Sequence, residues 1–428
     1  MTDETGVWKP AARIAFRFAF CYVAIYATYI VDMLVREVAY QLASADVTPF
    51  PANLLHQVVP WFARHALLLH RDIVIFSNGS ADTTYDWVLI ALNVCVAVAA
   101  AAVWSVLDRK RTSYVRLYAW LRFAAAMLLS AELLLYGFDK VIPAQFGPMT
   151  LSKLVTPFGS LTRMQVLWTF MSASTGYTMF AGSMEVAAAL LLLIPRLRAL
   201  GAIVAAIAMA NVFALNVFYD VPVKLFSFHL LLLALVVLAP ELSRLANLLV
   251  FDRPPGPSAP STLFDNLKLD RAVVGLSWVV AAAFGTCLFV STLASYRERL
   301  AKIDPAVPFY GVWKVDDFVA AAPSGTLAGS SLLERFVFES PNQVVVEAGG
   351  VMWSRTLWVN QKSREMALAQ RFGDAWSARF SYQQQTPDTL ALDGRVDGVP
   401  FRAKLHREDE SHLELVTGQI NLISEYPH

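Results

Sequence analysis

The sequence predicts an α-helical polytopic membrane bundle of about seven spans followed by a C-terminal all-β barrel or sandwich, and three observations carry that reading. Hydrophobic residues make up 56% of the 428-residue chain and charged ones only 16%, well outside the usage of a water-soluble domain. Seven apolar runs each approach the about 20 residues that a helix needs to cross a bilayer. From Phe309 onward the hydrophobic period changes from that of a helix to that of a strand.

The runs cover roughly 13 to 33, 86 to 107, 115 to 136, 174 to 195, 199 to 219, 224 to 243 and 272 to 295. The first follows Lys9, Arg13 and Arg17 as a signal peptide would, and Arg17 lies within it. It is nevertheless long, has no small-x-small cleavage site and continues to Asp32 and Arg36, so it is expected to be retained. Orientation follows from basic residues in the short flanks. With the N-terminus inside, thirteen fall on the inner side: Lys9, Arg13, Arg17, Arg109, Lys110, Arg111, Arg116, Arg196, Arg198, Arg244, Arg253, Lys268 and Arg271. Seven fall outside: Arg36, Arg64, Arg71, Lys140, Lys153, Arg163 and Lys224. An odd number of spans then places the C-terminal domain outside the cytoplasm, although Arg297, Arg299 and Lys302 oppose this. The chain divides into a transmembrane part, 1–300, and an extracytoplasmic part, 301–428.

Two outer connections, 37 to 85 and 137 to 173, are too long to be mere turns. The first contains the amphipathic stretch "LLHQVVPWFARHALLLH", whose Trp61 and Phe62 suit the membrane interface. Its histidines, His56, His65 and His70, lack a recognised metal spacing, so no metal is expected. Asp82, in "SNGSADTTYDW", is placed to cap the second span. The inner connection "FDRPPGPSAPSTLFDNLKLD" reads as a flexible linker. Cys21, Cys95 and Cys287 stand singly in apolar runs without a C-x-x-C spacing, as small apolar helix residues do.

Beyond Phe309, short runs rich in Val, Phe and Trp alternate with Gly, Pro, Asn and Asp, from "GVWKVDDFVA" through "NQVVVEA" to "HLELVTG". Asp393-Gly394 and Asp397-Gly398 each offer a hairpin turn. About eight strands in roughly 115 residues suit a small closed barrel. Gly311-x-Trp313 at its start is similar to the lipocalin opening motif, which implies a lipocalin-like barrel.

An ionisable side chain in hydrocarbon costs at least about 2.5 kcal/mol on insertion scales, so each marks a candidate site. Glu132, Tyr136 and Lys140 recur every four residues and share a stripe if the helix persists past Gly137. Glu132 needs a partner, Arg122 or a residue of another span, whereas Lys140 either pairs or snorkels. Glu185 follows Gly176, Gly182 and Ser183, small residues that let helices approach closely, so it is expected to face other helices as a functional or a hydrogen-bonding carboxyl. Asn216 and Asp220 lie one turn apart, with Asn211 about 140° away around the helix. Pro222 ends the fifth span at Val221, so Asp220 and Lys224 flank an outer turn as a structural ion pair. His229 is inside the sixth span, and the sharpest expectation is that it faces Glu185 or Asn216 across the bundle.

Lysine plus arginine, 35, balances aspartate plus glutamate, 34, so nucleic acid is not an expected partner. Phosphate-loop, dinucleotide, G-x-S-x-G and H-E-x-x-H motifs are missing from the sequence. The runs "YGFDKVIPAQF" and "SMEVAAALLLLIPRLRALG", and above all "YDVPVKLFSFHLLL", resemble the DoxX-like membrane proteins, particularly longer members with a C-terminal β domain. The resemblance implies a four-helix core formed by the third to sixth spans, with Gly137 and Lys140 matching the family's glycine-x-x-lysine and Glu185 its helix acid. The ending "GQINLISEYPH" is similar to the terminal strand of the longer members but lacks their tryptophan.

Some members of that family look like subunits of quinone-linked oxidoreductases. The resemblance therefore implies a redox-associated membrane protein of the cytoplasmic membrane. Its core would bind a quinone or similar lipid-like molecule near Glu185, Asn216 and His229. The sequence carries no recognisable prosthetic-group motif, so no intrinsic cofactor is expected and a membrane or extracytoplasmic oxidoreductase would supply the electrons. The alternative is a non-catalytic envelope scaffold whose outer barrel binds a lipid or a protein. A transporter has weaker support, since only one broken segment and no inverted repeat speak for it.

Overall fold

The computed structural model describes residues 8–43, 52–75, 80–256, 262–301, 308–320, 333–369, 377–396 and 398–417. Among them, seven helices are long and apolar enough to cross a membrane, one for each predicted run. They are α1 (Pro10–Ala43), α3 (Thr84–Leu107), α4 (Val115–Val141), α7 (Thr175–Leu193), α8 (Arg198–Phe218), the span Lys224–Leu249 that begins with α9 (Lys224–Leu238), and α11 (Leu267–Ala301). Three shorter helices, α2 (Ala52–His65), α5 (Leu151–Val155) and α6 (Arg163–Ala173), lie in the long connections, and α10 (Leu242–Leu249) continues α9 after a 3-10 turn. The chain forms two compact units: residues 1–145 with 179–292, and residues 146–178 with 293–428.

Alanines line the helical unit. Ala125, Ala126, Ala188, Ala189, Ala202, Ala205 and Ala234 are fully buried beside Leu129, Leu133, Leu192 and Leu233. In hydrocarbon no hydrophobic drive joins helices, so close van der Waals packing between small residues must do so. Arg17, the residue least suited to the first span, is buried but satisfied: Nε donates to the Tyr114 hydroxyl, Nη1 to Ser105 Oγ and Nη2 to the Asp108 carbonyl, each at 2.9 Å. Arg122 is committed in a similar way, donating to the Val237 carbonyl at 2.9 Å and pairing with Glu241 at 3.1 Å.

Asp82 does not cap the helix that follows it. Thr83 caps α3 in a capping box with Asp86, while the Asp82 carboxylate accepts the backbone N–H groups of Lys224 and Leu225, at 2.7 and 2.9 Å. It thus satisfies the orphan donors at the start of α9, where Val223 supplies no side-chain cap. Asp82→Ala is expected to lower stability by about 1–2 kcal/mol, the range for a lost N-cap. A fall in the thermal midpoint of the detergent-solubilised protein checks this, and an unchanged midpoint would refute the cap.

In the second unit, β1 (Gly311–Ala320), β2 (Leu333–Ser340), β3 (Gln343–Ala348), β4 (Val351–Asn360), β5 (Glu365–Ala369), β6 (Ser377–Thr386), β7 (Thr389–Val396) and β8 (Val399–Arg407) pair in chain order, all antiparallel, and β8 returns to β1 to close a barrel. Side chains fill its interior, including Trp313, Phe336, Phe338, Met366, Phe380 and Phe401. The continuous valines of β3 have a separate cause: α5 covers the outer wall, Leu151 packing with Val312, Val337 and Val345, so both faces there are apolar. Glu339 fixes α5 by accepting from Ser152 N and Oγ at 2.9 and 2.6 Å.

Two expectations fail here. Asp393-Gly394 is no turn; it lies within β7, paired with Arg402 and Phe401, and the hairpin closes where Val396 pairs with Val399, with Gly398 at φ +80°. The described part of the run "HLELVTG", residues 412–417, forms no strand, because β8 already closes on β1 and leaves no edge to extend. Residues 410–412 make a 3-10 turn and α12 (Glu414–Thr417) a single helical turn. The ending "GQINLISEYPH" lies outside the described residues.

Candidate intramembrane site

The helix of α4 does persist past Gly137, which brings Lys140 to α7. Its Nζ donates to Glu185 Oε2 at 2.8 Å and to the Tyr136 carbonyl at 3.4 Å, with Lys140 and Glu185 both buried. The contact depends on two glycines three residues ahead of the charges. A Cβ on Gly182 would lie 2.6 Å from the Gly137 carbonyl oxygen and 2.6 Å from Lys140 Cβ, and one on Gly137 would lie 2.8 Å from Val186 Cγ2. Gly-x-x-Lys thus interlocks with Gly-x-x-Glu, backbone against backbone. Gly182→Ala is expected to lower stability by about 1–3 kcal/mol through overpacking. Thermal unfolding beside Gly176→Ala, whose Cβ meets nothing within 4 Å, checks it, since equal midpoints would contradict the interlock.

His229 faces neither Glu185 nor Asn216. Its ring lies between α9 and α1, where Tyr22 Oη is 2.6 Å from Nε2 and the Tyr26 ring stacks on the imidazole at 3.9 Å and 12°. Nδ1 is 2.6 Å from the Leu225 carbonyl, which can only accept, so Nδ1 carries the proton and Nε2 accepts from Tyr22. The arrangement leaves one basic nitrogen in the core, in contact with one hydroxyl. Sequence reasoning missed Tyr22 and Tyr26, although tyrosines four residues apart inside a span, instead of at its interfacial ends, were a usable signal.

Asn216 serves the α8–α9 connection, donating to Ser227 Oγ at 3.0 Å and to the Val223 carbonyl at 3.4 Å. Beside it Asp220, at φ +54°, accepts from Lys224 Nζ at 2.9 Å, and Lys224 also lies 3.7 Å from Asp82. Asn211 is on the exposed face of α8. Glu132 is fully buried and not paired with Arg122, which Glu241 occupies; among the described residues neither of its carboxyl oxygens has a hydrogen-bond partner. In the outer loop, His65 and His70 bond the carbonyls of Trp61 and Leu68.

Over 112 residues the chain is 34% identical to the uncharacterized protein YwoB of Bacillus subtilis (strain 168), a stretch that makes up 26% of this chain and 71% of that protein. The chain belongs to the YwoB family. The YwoB match has room for about four spans with their connections and leaves most of this chain outside it. YwoB is itself uncharacterized, so any activity must be argued from the site. No protein-family model and no solved structure matches the chain.

Proposed function

We propose that this protein is a redox-associated, DoxX-like protein of the cytoplasmic membrane whose helix core binds a quinone or similar lipid-like small molecule beside His229. The observation that carries this reading is the Tyr22–His229 hydrogen bond with Tyr26 stacked on the imidazole. A site for such a molecule needs an apolar slot, an aromatic face and one or two groups that hand over protons, and this cluster has that chemistry. Tyr22 would donate its hydroxyl to a ligand carbonyl, and His229 Nε2 would hold a proton. When bound, the ligand supplies the redox chemistry, and a membrane or extracytoplasmic oxidoreductase supplies the electrons. Glu185 drops from the site to a helix-joining role because Lys140 engages it. The reading keeps the N-terminus inside, on the thirteen-to-seven basic excess, and a lipocalin-like barrel outside.

The alternative, a non-catalytic envelope scaffold, draws support from Trp353 and Trp358, exposed on β4 of a barrel whose interior is occupied by side chains. Those features suit a protein partner on the outer wall better than a lipid in the lumen.

Extraction of lipid-soluble compounds from the full chain purified in mild detergent tests the proposal. A co-purifying quinone is expected, depleted in His229→Ala and Tyr22→Phe but retained in Asn211→Ala. An extract without quinone, or equal content in all variants, overturns it.

A further inference from the structure

Among the described residues, Glu132 is the buried carboxyl of the helical unit with neither oxygen hydrogen-bonded, and three features of its surroundings belong together. It sits on α4 between Leu129 and Leu133, all three at 0–1% exposure. Both carboxyl oxygens lack a hydrogen-bond partner among the described residues, whereas the neighbouring buried acids are taken: Glu185 by Lys140, Glu241 by Arg122 and Arg244. The titratable groups in electrostatic range are Tyr26 and Glu37 of α1 and Tyr136 of α4 itself. On α9, His229 comes next, stacked on Tyr26, and on α7 Glu185 lies in range of Tyr136 but is joined to Lys140. No basic group among these is available to Glu132.

A lone carboxylate in such a place is an uncompensated charge, which an apolar bundle sustains only when something positive joins it. A hard metal cation needs about six or more oxygen ligands, and Glu132 with the groups in its range, Glu37 and two tyrosines, supplies too few. A proton needs only the carboxyl oxygen.

We infer that Glu132 is a proton-exchange site of the membrane core, binding a proton on a carboxyl oxygen and releasing it again while the Lys140–Glu185 pair stays intact. The step moves no electron: an Oε–H bond forms when water or a neighbouring hydroxyl gives up a proton, and the same bond breaks on release. Tyr26 links the site to the His229 cluster, since it stacks on the imidazole and lies in electrostatic range of Glu132, so the core would hold two proton-handling groups, one imidazole and one carboxyl, near a single tyrosine. The inference does not depend on the identity of the bound ligand, since proton exchange at Glu132 is measurable in protein whose extract contains no quinone.

Infrared spectroscopy of the full chain reconstituted in lipid, titrated over pH in H2O and in D2O, tests it. The expected result is a carboxylic C=O band that shifts in D2O, falls away as pH rises and is missing in Glu132→Gln but present in Glu185→Gln. Glu132→Asp keeps the carboxyl and is expected to move the band and its titration midpoint without abolishing either. It also decides the matter if Glu132→Gln fails to fold. A spectrum unaltered by both Glu132 substitutions overturns the inference. So does a Glu132 band that stays constant across the titration, which would make the group a fixed structural acid.

Discussion

Replacing Lys140 with Met while Glu185 remains is expected to destabilise the helical unit by about 3–5 kcal/mol, and Glu185→Leu alone by a similar amount. Each single change strands a charge whose side chain is 10% or 4% exposed, with no water to take over the lost partner. Changing both to apolar residues removes the two desolvation costs together, so the double variant is expected to return to within about 1–2 kcal/mol of the parent. A double-mutant cycle measured by unfolding in mixed micelles reports the coupling. If the single effects simply add in the double variant, the buried pair is not what joins α4 to α7. The Lys224–Asp220 pair is the built-in contrast: with Asp220 79% exposed, its loss is expected to cost no more than about 1 kcal/mol.

The spans and the barrel were legible because helical and strand periods are properties of a segment by itself. All seven spans and the closed antiparallel barrel appear as read. Which residues meet across the bundle was not legible, because periodicity sets the face of one helix without fixing the rotation of the next. Glu132 and Lys140 illustrate the limit. Eight residues of helix turn them about 80° apart, enough for Lys140 to meet α7 while Glu132 lies in range of α1. Asp82 is a second case, since it caps a helix 142 residues further along the chain, a distance at which no local signal survives.

The polar residues of the bundle divide by what happens to their charge. Arg17, Arg122, Lys140 and Glu185 are buried and matched, so each holds one helix to another. His229 is buried and only partly committed, with Nε2 accepting a single hydroxyl, and Glu132 is buried with no hydrogen-bond partner among the described residues. Matched groups stabilise a fold; unmatched ones cost stability and persist where chemistry requires them. The sequence treated Glu185 and His229 as one site because both are rare in a membrane span. Their hydrogen bonds assign them to opposite sides of that division.

Gly394→Ala is expected to be the most damaging single-methyl substitution in the β domain. The two Asp-Gly pairs look alike in sequence, yet only one can form the two-residue hairpin, and Gly394 falls in mid-strand against β6. A Cβ there would stand 2.0 Å from the Arg379 carbonyl oxygen and 2.8 Å from Phe380 Cα. Both obstacles are backbone, so no rotamer change relieves them, and β6 and β7 must separate where Phe380 pairs with Gly394. The cost should reach or exceed the upper end of ordinary overpacking, about 3 kcal/mol. Gly398→Ala meets no atom within 4 Å and bears only the strain of φ +80°, about 1–2 kcal/mol. Hydrogen exchange of the β6 and β7 amides in the full chain distinguishes the two glycines: protection should collapse along both strands in Gly394→Ala and soften only near the hairpin in Gly398→Ala. Equal protection in the two variants would mean that β6 can move away from β7 at little cost, and that the close approach at Arg379 is not needed to close the barrel.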